Sequence, residues 1–342
     1  MKKLTIRQKA WINARSRKGI RTLSKRKKEE KRTSPSKANM VKPHGKQTYI
    51  VSAPAHLSLI DNCEETLAFF CEVIETLKKC KYGERVFFNL GGVIKISTDS
   101  IMYIIALIDN TKRVKTLSIG CLGNIPEDHE ACKVIEKSGF YRYVSKTRQS
   151  NYNHDYDSKN SVQIRTGKTA KGPLTGEICE FICKNSKRTR IDTKRIYNMI
   201  LELMTNTNQH AYKDGLNLMC NCWYIYIEST DEHIRFVFLD TGVGIPNTVK
   251  RNHIEKIKDK VINSESAYIA SALKGEFRSG TGERNRGRGL PEVFEDVKNK
   301  EINNLQIISG RGYCLPKADG NIQEIKLNGS LSGTIITWEI TK

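Results

Sequence analysis

The chain has 342 residues, of which 38% are hydrophobic and 28% charged, and its formal net charge is +21. A length of this order predicts two domains. No apolar run approaches the ~20 residues that span a bilayer, and the basic N-terminus lacks the apolar core of a secretory signal. The sequence therefore argues against membrane-spanning and secreted classes and predicts a cytoplasmic protein with no membrane partner.

Most of the excess positive charge lies in residues 1–46. This segment holds 17 Lys and Arg residues against Glu29 and Glu30 alone, and it has few apolar residues with which to build a core. We expect a flexible basic arm. It either contacts nucleic acid through phosphates, or serves as a solvated extension that docks on a partner.

Ten cysteines are spread along the chain without a C-x-x-C pair. Most lie within apolar patterns, which favours buried free thiols in a reducing compartment. A zinc site at Cys179/Cys183 and Cys220/Cys222 is the alternative, although no His stands beside them at zinc-ligand spacing.

Residues 47–145 alternate between predicted strands and helices. Strands are expected at Tyr49–Val51, Arg85–Phe88 and Thr116–Ile119, and helices follow them. The first helix has a capping-box pattern, with Asp61 as N-cap and Glu64 three residues later. The βαβαβα order predicts an α/β domain.

A polar segment, 146–176, has no periodicity and is predicted to be a linker. The region 177–342 then predicts a helix at Ile191–Tyr212, a β-hairpin, further helices and three final strands. The strands of the hairpin are Trp223–Glu228 and Ile234–Leu239; the final strands are Leu305–Ile308, Gln323–Leu327 and Thr334–Ile340. This order predicts an α+β sandwich with one layer of helices and one sheet.

Three polar side chains fall on one face of the Ile191–Tyr212 helix. Glu202, Asn206 and His210 are spaced at i, i+4 and i+8. The stripe suits phosphate chemistry, with the Asn206 oxygen on Mg²⁺ and Glu202 orienting a water. A solvated helix face is the alternative.

Two glycine-rich segments follow. A predicted strand delivers Asp240 into the turn Gly242-Val-Gly244, where a carboxylate can accept a hydrogen bond from an exocyclic amine. A loop with glycines and arginines then leads into a helix at Leu290-Pro291, a pattern typical of a phosphate cradle. A final turn, Gly329-Ser-Leu-Ser-Gly-Thr334, carries little information by itself.

In their order, these four segments resemble the N box, the two glycine boxes and the terminal Gly-Thr box of the GHKL ATPase superfamily. The resemblance covers 177–342 and implies the Bergerat α/β sandwich, with ATP and Mg²⁺ as cofactors. It implies a catalytic role for Glu202 and a Mg²⁺ ligand at Asn206. Residues 248–286 would form the ATP lid. The other implied nucleotide contacts are His210, Asp240, Gly242, Gly244, Gly287, Gly289 and Thr334.

The segment Asn89–Asp99 resembles the strand-to-helix element of STAS domains, the fold of anti-sigma-factor antagonists. The resemblance covers 47–145 and implies a STAS-like α/β domain ahead of the GHKL domain. Thr98 falls at the position that accepts phosphate in that family, although helix-start hydroxyls also act simply as caps.

Three functions remain open at this point. The first is an ATPase or ATP-driven conformational switch that acts through the STAS-like domain and the basic arm, with a homodimer or protein partner at the STAS-like domain or the lid. The second is a serine/threonine kinase of the anti-sigma type, favoured by His210-Ala-Tyr212. The third is a nucleic-acid-binding module that uses the basic arm and binds ATP only structurally.

Overall fold

The described residues of the first part of the chain form a small parallel sheet and three α-helices. In the computed structural model, strands β1 (Thr48–Ser52), β3 (Arg85–Asn89) and β5 (Gly120–Gly123) pair in parallel in the order β1-β3-β5. Strands β2 (His56–Leu57) and β4 (Lys95–Ile96) form a separate parallel pair. The helices are α1 (Cys63–Lys79), α2 (Thr98–Arg113) and α3 (His129–Ser138).

A five-stranded antiparallel sheet forms the second part. Its strand order is β6-β7-β8-β10-β9. The strands are β6 (Ser161–Gly167), β7 (Trp223–Ser229), β8 (His233–Asp240), β9 (Asn303–Pro316) and β10 (Ile322–Thr341). The helices are α4 (Gly172–Asn185), α5 (Lys194–Gln209), α6 (Ile245–Asn252), α7 (Glu265–Leu273) and α8 (Gly289–Lys298).

The structure describes residues 47–81, 83–113, 120–144, 159–209, 222–252, 264–276 and 289–342. The basic arm at 1–46 and the strand expected at Thr116–Ile119 lie outside these residues. Contacts divide the chain into Met1–Gly45 and Lys46–Lys342, so every described residue belongs to the second unit. No helix among the described residues is long and apolar enough to cross a membrane.

The antiparallel sheet is buried on both faces. One face packs against α4, α5, α7 and α8 around side chains such as Trp223, Phe236 and Trp338. The opposite face, which includes Tyr224 and Leu239, joins one core with helices α1, α2 and α3. These three helices therefore lie between the two sheets. The expectation of a two-layer C-terminal sandwich is incomplete, because the N-terminal helices add a layer against the sheet.

Several predicted boundaries differ from the structure. The helix expected after Asp61 begins at Cys63 with Asn62 as N-cap, and the Asn62 side chain contacts Glu65 instead of a backbone N–H. The segment predicted as a linker contains β6, which pairs with β7, and the start of α4. The two last predicted strands are one strand, β10, with an irregular register between Lys326 and Thr334.

Candidate functional site

Asp240 stands at the end of β8, directly between β7 and β10. It is paired with Trp223 on one side and Thr334 on the other. The backbone N–H of Gly242 donates to its Oδ1 at 2.8 Å. The Thr207 hydroxyl of α5 is also a hydrogen-bond partner of this carboxylate. Burial raises the pKa of Asp240 to about 6, although these two hydrogen bonds act in the opposite direction.

Three glycines lie in the turns next to Asp240. A Cβ at Gly242 would lie 3.1 Å from both oxygens of the Asp240 carboxylate. Gly244 and Gly333 both have positive φ, at +82° and +107°, a region that side chains other than glycine rarely adopt. A Cβ at Gly333 would lie 2.1 Å from the Asp240 carbonyl oxygen. The turn after β8 and the turn within β10 therefore meet backbone to backbone.

Ser309 joins these turns from the neighbouring strand β9. Its buried hydroxyl accepts from the N–H of Ile245 at 2.9 Å and donates to the carbonyl of Gly333 at 3.0 Å. It also lies 2.9 Å from the hydroxyl of buried Thr334. Sequence reasoning missed Ser309, because a single Ser at the end of an apolar run has no distinguishing pattern.

Glu202 and Asn206 lie one turn apart on α5, the helix that also brings Thr207 to Asp240. The Asn206 side chain hydrogen-bonds the Glu202 carboxylate. Burial, with a contribution from the Glu292 charge, raises the pKa of Glu202. A Cβ at Gly289 would lie 2.4 Å from Glu202 Cγ, so the start of α8 packs directly on this side chain.

The structure thus brings the described candidates into two groups, each of which contacts α5. Asp240, Gly242, Gly244 and Thr334 form the first group, and Glu202, Asn206 and Gly289 form the second. Thr207, which sequence reasoning also missed, links the groups because it follows Asn206 and contacts Asp240. His210 and Gly287 lie outside the described residues.

Part of the segment expected to form a lid is described. Helices α6 and α7 pack together, and Lys250 Nζ lies 3.3 Å from Glu265 Oε1. Glu265 Oε2 accepts from the backbone N–H of Arg311 at 2.6 Å. This carboxylate therefore fixes α7 to β9 next to Ser309. Residues 253–263 and 277–286 of the segment lie outside the described part.

Thr98 is the first residue of α2 and is only 8% exposed. Its neighbour Asp99 is buried too, and Asp99 Oδ1 accepts from the N–H of Leu59 at 2.7 Å. Phosphoryl transfer to Thr98 would require this helix start to open. The position suits a structural helix start better than an accessible phosphate acceptor.

No group of three or more His, Cys, Asp or Glu side chains that could hold a metal ion occurs within the described ranges. Of the four cysteines in the zinc alternative, Cys179, Cys183 and Cys222 are free thiols. Cys220 lies beyond the described segments. Glu202, which hydrogen-bonds Asn206, lies against Gly289 at the start of α8.

Comparisons with protein-family models and with curated proteins give no match to this chain.

Replacing Gly333 by Ala is expected to lower the free energy of unfolding by about 2–4 kcal/mol. The new Cβ would clash with the Asp240 carbonyl in a backbone conformation that alanine disfavours. Urea unfolding of the full chain measures the effect. Gly176→Ala is the matched control, since a Cβ there has nothing within 4 Å in helix α4. That change should be neutral or stabilising, and equal losses in the two variants would contradict the close packing at Gly333.

Proposed function

We propose that this protein binds ATP with Mg²⁺ in a GHKL-type site and hydrolyses it. The observation that carries the proposal is the convergence of four sequence segments around α5. Gly289 packs on Glu202, Gly333 packs on the Asp240 backbone, and Thr207 connects Asp240 to the helix that carries Glu202 and Asn206.

Adenine recognition is assigned to Asp240. The pKa of Asp240 is about 6, so at higher pH the carboxylate is ionised and accepts a hydrogen bond from the exocyclic amine of the base. A Cβ at Gly242 would lie 3.1 Å from both carboxylate oxygens, so its absence leaves them open to a flat ring. Guanine carries a carbonyl oxygen at the corresponding position and would be repelled by the carboxylate.

Mg²⁺ binding is assigned to the side-chain oxygen of Asn206. Magnesium in nucleotide sites takes one or two protein oxygens together with substrate phosphates and does not need an all-protein cage. An amide oxygen next to a carboxylate fits that donor set. When bound, the ion neutralises charge on the phosphates. Asn206 would also orient Glu202, to which it is hydrogen-bonded.

Proton transfer is assigned to Glu202. In hydrolysis, a water oxygen forms a bond to the terminal phosphorus of ATP, the bond from that phosphorus to the bridging oxygen breaks, and ADP leaves. The attacking water loses a proton, which Glu202 accepts. The raised pKa of Glu202 makes it a stronger base for this step than an exposed glutamate.

The direct experiment is ATP binding by calorimetry and phosphate release by the full chain with Mg²⁺. Phosphoprotein mass spectrometry of the same samples tests the kinase alternative. We expect ATP binding, phosphate release and no modification at Thr98. A chain that binds no nucleotide would overturn the proposal, and stoichiometric phosphorylation would favour the kinase.

The variant Glu292→Gln should shift the acid limb of the pH–rate profile to lower pH. The Glu292 charge helps to raise the pKa of Glu202, so its removal leaves the base ionised at lower pH. Phosphate release is measured across the acid range. Glu295→Gln, an exposed carboxylate on the same helix that pairs with Lys298, is the control and should not move the limb. Identical pH–rate profiles for Glu292→Gln and the wild type would show that the acid limb does not report the titration of Glu202.

A further inference from the structure

A bulged segment of β10, residues 328–333, connects the N-terminal helices to the candidate nucleotide site. The pairing of β10 with β9 passes from Leu331 opposite Gly310 to Thr334 opposite Ser309, so Ser332 and Gly333 are skipped in that register. The pairing of β10 with β8 begins only at Thr334. The backbone groups of the bulged segment must therefore find partners outside the regular ladder of the sheet.

Helix α1 supplies some of these partners. The N–H of Asn328 lies 3.2 Å and 3.3 Å from the two carboxylate oxygens of Glu64. A Cβ at Gly329 would lie 2.9 Å from Leu67 Cβ, so the segment passes directly over the helix. The Cys71 thiol lies 3.7 Å from the Ser330 carbonyl. The first half of the bulged segment thus rests on α1.

Tyr103 of α2 fixes the second half. Its hydroxyl accepts from the N–H of Ser332 at 3.1 Å and lies within 3.5 Å of the carbonyl of the same residue, to which it can donate. The Tyr103 residue is fully buried, and its ring packs edge-on against Phe70 at 4.7 Å between centroids. One rigid hydroxyl therefore holds both backbone groups of Ser332.

The next residue along the chain is Gly333, whose position matters for the site. Gly333 has a φ of +107°, packs on the Asp240 carbonyl and gives its own carbonyl to Ser309. The Ser332 carbonyl belongs to the Ser332–Gly333 peptide, so loss of the Tyr103 hydroxyl frees this peptide to rotate. Such a rotation would move the surface next to Asp240.

We propose that Tyr103 is a positioning residue for base recognition, through which the N-terminal helices set the shape of the nucleotide site. The inference rests on the proposed ATP-binding function and extends it to a residue far from Asp240 in sequence. Coupling of this kind is reciprocal, so bound nucleotide must also stabilise the start of α2.

The test compares Tyr103→Phe with Tyr143→Phe in the full chain. Both changes remove one tyrosine hydroxyl that contacts backbone, because the Tyr143 hydroxyl donates to the Ile164 carbonyl at 2.7 Å. Ile164 lies in β6, at the other side of the sheet from β10. The affinities for ATP and for GTP are measured by calorimetry with Mg²⁺.

We expect Tyr103→Phe to weaken ATP binding about three- to tenfold, the equivalent of one hydrogen bond. The preference for ATP over GTP should fall with it, because the surface beside Asp240 is less well defined. A purely structural role would lower stability without changing this preference. Tyr143→Phe should leave both affinities unchanged. An unchanged preference in Tyr103→Phe, or an equal loss in both variants, would overturn the inference.

A second measurement uses the wild-type chain and does not depend on the folding of a variant. ATP should slow amide hydrogen exchange in residues 328–333 and in the first turns of α2. Protection confined to the surroundings of Asp240 and Glu202 would overturn the role of Tyr103 while leaving ATP binding intact. Absence of any nucleotide binding by the wild type would overturn the proposed function, and the inference with it.

Discussion

Replacing Glu202 by Gln is expected to reduce ATP turnover by roughly 10²–10⁴-fold, the usual contribution of a general base. Glutamine keeps the size of the side chain and its contact with Gly289, but it cannot accept a proton. The affinity for ATP should stay within about twofold of the wild type, since adenine recognition is assigned to Asp240 and not to Glu202. Phosphate release and calorimetry measure the two quantities separately.

The split between turnover and affinity is the informative part of this result. A loss of turnover that is explained entirely by weaker binding would assign Glu202 to ATP binding and not to proton transfer. Glu292→Gln supplies the contrast, because it changes the charge near Glu202 and leaves the base in place. Unchanged turnover in Glu202→Gln would remove the catalytic assignment altogether.

Much of the fold is predictable where the apolar pattern is local. The helix at Cys63–Lys79 repeats apolar residues at helical spacing, and the hairpin of β7 and β8 alternates around a polar turn. The pairing of β6 was missed because Ser161–Gly167 lies in a polar segment that is ordered by β7. The continuity of β10 was missed for a similar reason, since the bulge at 328–333 looks like a turn and is held by contacts distant in sequence.

The candidate site divides in the same way. Glu202, Asn206 and Asp240 could be selected from the sequence because their residue types and spacing suggest phosphate and amine chemistry. Thr207, Ser309 and Tyr103 could not, because each acts through a hydrogen bond to a partner in another element. A lone hydroxyl in an apolar run is ordinary in a sequence, and only the tertiary structure shows what it contacts.

Replacing Asp240 by Asn should weaken ATP binding about tenfold or more, because a neutral amide is a poorer acceptor for the exocyclic amine than a carboxylate. The same change should stabilise the fold above pH 6. Burial raises the folded-state pKa of Asp240 from 3.8 to about 6, so the ionised form is disfavoured in the folded chain. Between pH 3.8 and about pH 6 the folded state binds more protons than the unfolded state. The contribution of Asp240 to the free energy of unfolding of the wild type therefore falls as the pH rises through this range.

A difference of about two pKa units corresponds to roughly 2–3 kcal/mol. Urea unfolding should therefore show that Asp240→Asn has a higher free energy of unfolding than the wild type, by an amount that grows from about pH 4 to about pH 6 and is constant above. Asp99→Asn is the matched control. Asp99 is also buried with a raised pKa, but it contacts Leu59 and Ser100 in the N-terminal part. Asp99→Asn should gain stability in the same direction, because the gain comes from removing a buried carboxylate and not from the site around Asp240. Unchanged ATP affinity in Asp240→Asn would show that the buried Asp240 carboxylate does not recognise the base.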